Sequence, residues 1–181
     1  MPLRPVLQFP DPRLKRKSEP VREVTDAIRE LAADMIDVMY DEPGIGLAAP
    51  QVGEAIRLIV MDTEWTGESG EKKPGVMINP EIVARDGEIT WNEGCLSVPD
   101  FNADVERSAR VRVRYQDLEG KTHEEDASEL RAVCFQHELD HLDGVLFIDR
   151  ISKLKRSLYV AKRKKALQRE LEEAASPKKL V

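Results

Sequence analysis

Asp126-Ala-Ser-Glu-Leu-Arg-Ala-Val-Cys-Phe-Gln-His-Glu-Leu-Asp-His141 is the stretch on which the reading of this chain turns. Asp126 and Glu129 have capping-box spacing, and Leu130, Val133, Cys134, His137 and His141 then recur on one helical face. Residues four apart in a helix are neighbours, so the imidazoles of His137 and His141 can point at one metal ion. Glu138 follows the first of them and is placed to reach a water on that ion rather than the ion itself. The plainer alternative is a pair of half-buried histidines that satisfy hydrogen bonds.

Two histidines do not complete an open catalytic site; a third protein ligand is needed, with one position left for water. The chain has only three histidines. Downstream, Gly144 sits where one zinc-protease pattern has its glycine, but Phe147 occupies the place of that pattern's third histidine. Glu170, Glu172 and Glu173 lie in a Lys/Arg-rich segment and read as solvated. His123 falls in an expected hairpin and reads as exposed. Cys134 shares the helix face and can ligate, although a small buried hydrophobe is the simpler account. Cys95 follows Gly94 at the end of an expected strand, and a thiolate is a strong ligand for a borderline metal. Cys95 with His137, His141 and water makes an open tetrahedral set.

Working outward, Thr25 is a plausible N-cap for a helix with Ile28, Leu31, Ala32, Met35, Val38 and Met39 at helical spacing, ending near Tyr40. The Pro-rich first twenty residues read as an extended arm. Arg57 to Met61 is a short apolar run and reads as a buried strand. Segment 62–75 is polar with three glycines and reads as a mobile loop. Val76–Ile78, Ile82–Val83 and Ile89–Trp91 read as further short strands. Arg110-Val-Arg-Val-Arg-Tyr115 alternates with period two, the mark of a half-buried antiparallel strand, and Gly120 turns it into the next. Ser152 caps a last helix with Leu154, Leu158 and Ala161 on one face. The expected class is α+β: short, mostly antiparallel strands around a central metal-binding helix, with a C-terminal helix.

The chain has 181 residues, 41% hydrophobic and 34% charged, enough for one domain with a real core, here read as spanning 1–181. No apolar run approaches the ~18 residues of a membrane helix, and Met1-Pro-Leu-Arg-Pro has no secretory h-region. Two cysteines suggest no disulfide framework, so a reduced, cytoplasmic protein is expected. The net charge of −6 hides an asymmetry: residues 150–181 carry 11 Lys/Arg against 3 Asp/Glu. A basic segment on an acidic body suggests either an anionic partner or a solvated helix folded on that body.

Three segments taken together resemble the peptide deformylases, in their bacterial form: Gly44-Ile-Gly-Leu-Ala-Ala-Pro-Gln51, Glu93-Gly-Cys-Leu-Ser97 and Gln136-His-Glu-Leu-Asp-His141. The resemblance implies a metal-dependent hydrolase that removes the formyl group from the N-terminal formylmethionine of new polypeptides and releases formate. It implies Cys95, His137 and His141 as metal ligands and Glu138 as general acid/base. Gln51 and the Leu96 N–H would meet the oxyanion. Ile45 and Gly46 would line the extended peptide, and Ile45, Leu130, Val133 and Cys134, with the His137 ring, the methionine pocket. The implied cofactor is one divalent ion, Fe2+ first, with Zn2+, Ni2+ or Co2+ able to take its place. Formylated nascent peptides would be the substrate, and the basic C-terminal helix suits ribosomal RNA; neither a membrane nor DNA is expected as a partner. The resemblance leaves Asp100 to Val105 without a role. Two other readings stand beside it, a zinc endopeptidase and a non-catalytic Cys/His metal-binding protein.

Overall fold

The computed structural model describes residues 3–67 and 70–175. Among the described residues there are three α-helices: α1 (Asp26–Asp41), α2 (Glu129–Leu142) and α3 (Lys153–Ala175). The strands are β1 (Gly46–Ala48), β2 (Leu58–Met61), β3 (Gly75–Asp86), β4 (Ile89–Cys95), β5 (Val98–Arg107), β6 (Arg110–Gln116) and β7 (Thr122–Ser128). They form a five-stranded sheet in the order β1-β2-β3-β6-β7 and a separate β4–β5 ribbon, and every pairing between these strands is antiparallel.

Hydrophobic patterning explains the layers. All four residues of β2 are buried. Leu58 and Val60 pack toward α1 with Leu31, Met35, Val38 and Met39, while Ile59 and Met61 pack toward α2 with Phe135, Leu139 and Leu142. A strand covered on both faces needs no polar alternation, hence the continuous apolar run. β6 is covered on one face only. Val111 and Val113 are buried under α2, while Arg110, Arg112 and Arg114 point out and pair with Asp86, Asp126 and Glu81.

α2 is the central element, with ten of its fourteen residues buried. Ser128, not Asp126, is its N-cap residue, and no side-chain cap bond forms. Asp126 instead belongs to β7 and pairs with Arg112, because the strand runs on to the residue before the helix. The expected strands at 76–78 and 82–83 are one strand, β3, bent by irregular register against β6. The N-terminal arm is largely extended but makes a 3-10 turn at Pro12–Lys15. Thr25 and Ser152 stand where expected; the Ser152 Oγ accepts from the Lys155 N–H at 3.3 Å, whereas Thr25 makes no side-chain cap bond. Segment 62–74 holds neither helix nor strand among its described residues. Its ends are gathered on the buried Asp62 carboxylate, which accepts from the Tyr40 hydroxyl at 2.5 Å and the Lys73 N–H at 2.7 Å.

α3 joins the core through a single residue, which packs with Val98, Val105, Leu146 and Phe147. Tyr159 is its one buried residue among those described. Leu154 and Leu158, at 71% and 64% exposure, face solvent, so the leucine face is the outer one. Among the described residues no helix is long and apolar enough to cross a membrane.

Candidate metal centre and active site

Three segments far apart in sequence converge on the inner face of α2. The end of β4 brings Cys95, α2 brings His137, Glu138 and His141, and the 3-10 turn Ala49–Val52 brings Gln51. The ligand atoms of Cys95, His137 and His141 lie within 4.8 Å of one another, and they are the only such His/Cys/Asp/Glu group among the described residues. Cys95 Sγ is 3.2 Å from His141 Nε2. His123 instead pairs with Asp117 at the β6–β7 turn, and Cys134 has its sulfur 3.8 Å from the Ile45 carbonyl oxygen. Burial pushes the Cys134 thiol well above its ordinary pKa, which suits a wall residue better than a thiolate ligand.

A buried ion-pair chain, which sequence reasoning did not assign, orients His137. Its Nδ1 is 2.8 Å from Glu93 Oε2. The Arg107 guanidinium donates to both Glu93 oxygens, at 2.7 and 2.9 Å, and to Asp140 at 2.6 Å. Burial works against the Glu93 charge, but the hydrogen bonds from Arg107 and His137 outweigh it and hold the pKa down at about 2. A carboxylate on one ring nitrogen turns the other nitrogen toward the site and raises its basicity. Strand alternation gives no signal for it, since the β4–β5 register is irregular between Glu93 and Cys95.

Gln51 is 2% exposed and its amide is locked. Oε1 accepts from the Ala48 N–H at 2.9 Å, which leaves Nε2 to donate to Ser97 Oγ at 3.1 Å beside Cys95 Sγ at 3.7 Å. The amide therefore presents a donor, not an acceptor, to the site.

Glu138 is 4% exposed, and its Oε2 is buried without a hydrogen-bond partner. Burial raises its pKa to about 7. Nearby cations pull a carboxylate pKa down, so the value falls when a metal is present. Gly46 explains how the 44–46 segment comes so close. A Cβ added there would lie 2.5 Å from Glu138 Oε1 and 2.8 Å from Cys134 Sγ.

These groups line one cavity of about 560 Å³. Its wall holds Ile45, Gly46, Gln51, Cys95, Leu96, Leu130, Val133, Cys134, His137 and Glu138. Every expected site residue lines it except His141, which lies behind and is buried. Asp100, Phe101 and Asn102 line it too, although the sequence suggested no role for them.

A thiolate and two imidazoles, three donors with an adjacent unpartnered carboxylate, match an open hydrolytic metal site rather than a closed four-ligand structural one. The family described as "Polypeptide deformylase" matches residues 3–157. The chain belongs to the peptide deformylase family. A peptide deformylase of Rhodopseudomonas palustris (strain BisB5) is 55% identical over 170 residues, 93% of this chain and 97% of the relative. The crystal structure of a peptide deformylase from Legionella pneumophila has a TM-score of 0.84 at 41% identity, covering 97% of this chain and all of that one. That of Synechococcus elongatus in complex with actinonin has a TM-score of 0.84 at 39% identity, covering 91% of this chain and 89% of its own. Peptide deformylases are metalloenzymes that remove the formyl group from N-terminal methionine, and the α+β architecture here is theirs.

Proposed function

We propose that this deformylase carries out its reaction in the Cys95–His137–His141 cavity, within a single catalytic domain. The observation that carries the reading is the convergence of three donors, a partnerless buried carboxylate and a locked amide donor on one cavity. Cys95, His137 and His141 would hold one divalent cation. When bound there, the cation polarises the formyl carbonyl and makes water more acidic.

The side chains supply the remaining chemistry. The methionine side chain of the substrate lies against Ile45, Leu130, Val133 and Cys134, and the peptide backbone runs along Ile45 and Gly46. Glu138 accepts a proton from the attacking water as its oxygen bonds to the formyl carbon. The carbonyl oxygen gains negative charge and is met by the Gln51 Nε2–H and the Leu96 N–H. Glu138 then returns the proton to the departing nitrogen. The C–N bond breaks, leaving formate and a free amino group.

The donor set accepts any first-row divalent ion, so ligand type alone does not choose. Ferrous iron is the physiological cation of this proposal, and oxygen-labile activity regained by cobalt or nickel is its signature. The substrates are nascent chains, which places the enzyme in the cytoplasm. A ribosomal RNA contact through α3 is supported by Lys153, Lys155, Lys162, Lys164 and Lys165, all exposed. That contact predicts salt-sensitive ribosome co-sedimentation that is lost on truncation after residue 152.

The deciding assay is formate release from formyl-Met-Ala-Ser by anaerobically purified protein, with metal content measured and Glu138→Ala alongside. Activity that vanishes in the variant while metal stays bound is expected. Activity retained in the variant overturns the role of Glu138, and no release by the metal-loaded parent overturns the substrate.

A further inference from the structure

α3 buries one side chain completely, and what that side chain touches is informative. The Tyr159 ring packs on Phe101 with centroids 4.7 Å apart and on Phe9 at 5.9 Å. Phe101 lines the substrate cavity. It also stacks on Phe147 at 6.0 Å, which in turn stacks on the His137 ring at 6.2 Å. One turn along α3, Arg163 has a side chain only 11% exposed; its guanidinium meets Glu170 of its own helix at 3.5 Å and also reaches the N-terminal arm. It donates to the Phe9 carbonyl at 3.1 Å and to Gln8 Oε1 at 2.9 Å. Gln8 lines the same cavity.

The arm is itself stitched to the site. The Leu7 N–H donates to the Gln51 carbonyl at 2.7 Å, and the Phe9 N–H to the Ser97 carbonyl at 2.8 Å. The Tyr159 ring and the Arg163 guanidinium of α3 thus each touch a cavity-wall residue, Phe101 and Gln8, as well as Phe9 of the arm. A buried guanidinium must recover its hydration through hydrogen bonds, so Arg163 keeps the arm where its acceptors are.

We propose that α3 is a working part of the substrate groove, with Tyr159 and Arg163 as positioning residues that hold Phe101 and Gln8 as its wall. This rests on the deformylase reading above. Phe101 is only half-buried, so without the Tyr159 ring behind it the wall loosens and must be re-ordered each time substrate binds. The reacting groups sit on β4, α2 and the Gln51 turn. The loss therefore falls on binding and not on the chemical step.

The test is steady-state kinetics on formyl-Met-Ala-Ser with the metal-loaded full chain and measured metal content. Tyr159→Ala is expected to raise KM about tenfold, as loss of a packed aromatic anchor does, with kcat within about twofold. Tyr159→Phe restores the parent KM, because the Tyr159 hydroxyl is buried with no partner. Arg163→Met, which leaves the ring packing intact, raises KM in the same sense. Its effect is not additive with Gln8→Ala, since the two side chains act as one unit. If Tyr159→Ala fails to fold, the Arg163→Met and Gln8→Ala cycle decides alone. Unchanged KM in Arg163→Met, or strict additivity in that cycle, overturns the proposal even if thermal stability falls. An inactive parent overturns the substrate assignment instead, so the two failures are distinct.

Discussion

Gly46→Ala adds one methyl group to the backbone facing Glu138, and its effect can be worked from distances. The new Cβ would stand 2.5 Å from Glu138 Oε1, 2.8 Å from Cys134 Sγ and 3.0 Å from Glu138 Cδ, where ordinary contact begins near 3.4 Å. Glu138 must therefore retreat by about 0.9 Å, the gap between 3.4 and 2.5 Å. Gly46 is not at a positive φ, so alanine brings no backbone strain and the effect is steric. Overpacking of this kind costs about 1–3 kcal/mol of stability. A misplacement of about 1 Å in a proton-transferring group costs on the order of 100-fold in rate. The expected result is kcat/KM for formyl-Met-Ala-Ser reduced about 100-fold with the metal content of the parent. Adding Cys134→Ala to Gly46→Ala opens space on the sulfur side and restores part of the rate. Full activity in Gly46→Ala at parental stability would refute the claim that Glu138 is held in a working position by the 44–46 backbone.

Three further outcomes follow from the same geometry. Glu93→Gln leaves Arg107 buried against Asp140 with its bidentate carboxylate gone; we expect a loss of roughly 3–5 kcal/mol in urea unfolding and about 10–100-fold weaker metal binding by titration. Chelation uncovers the half-buried Cys95 sulfur, so one thiol per chain reacts quickly with a disulfide reagent while Cys134, buried with its pKa pushed up, stays slow; two fast thiols would contradict this. Asp149 receives hydrogen bonds from Lys15, the Leu146 N–H and Arg156, which outweigh its burial and hold its pKa below 3.8. A lowered carboxylate pKa contributes stability above the unfolded value that is lost as pH falls through the folded one, so urea midpoints should drop on acidification below about pH 4, and less steeply in Asp149→Asn.

Much of the site is legible in the chain because its parts are local. The spacing of His137, Glu138 and His141 is a property of any helix, and α2 is a helix. The alternation in Arg110–Tyr115 marks a one-sided strand wherever the sheet lies. The candidate third ligand was narrowed by elimination, and the structure draws Cys95 beside His141 while leaving His123 and Cys134 outside the group. The Glu93–Arg107–Asp140 chain was not legible, because a buried charge looks like any surface charge until its partners are known. The docking face of α3 was equally hidden. Leu154, Leu158 and Ala161 form the obvious apolar face, yet Tyr159 is the residue that packs.

Local chemistry in the sequence was enough for the class of fold, the helix that carries two imidazoles and a carboxylate, and the family to which the three motifs belong. These depend on periodicity and on neighbours a few residues apart, which the backbone geometry dictates. Which way the Gln51 amide faces, why residue 46 has no side chain, and that α3 reaches the groove through Tyr159 and Arg163 were decided only by tertiary packing. Each depends on atoms brought together from segments tens of residues apart, and close packing and buried hydrogen bonds, not local preference, choose among the arrangements the chain alone allows.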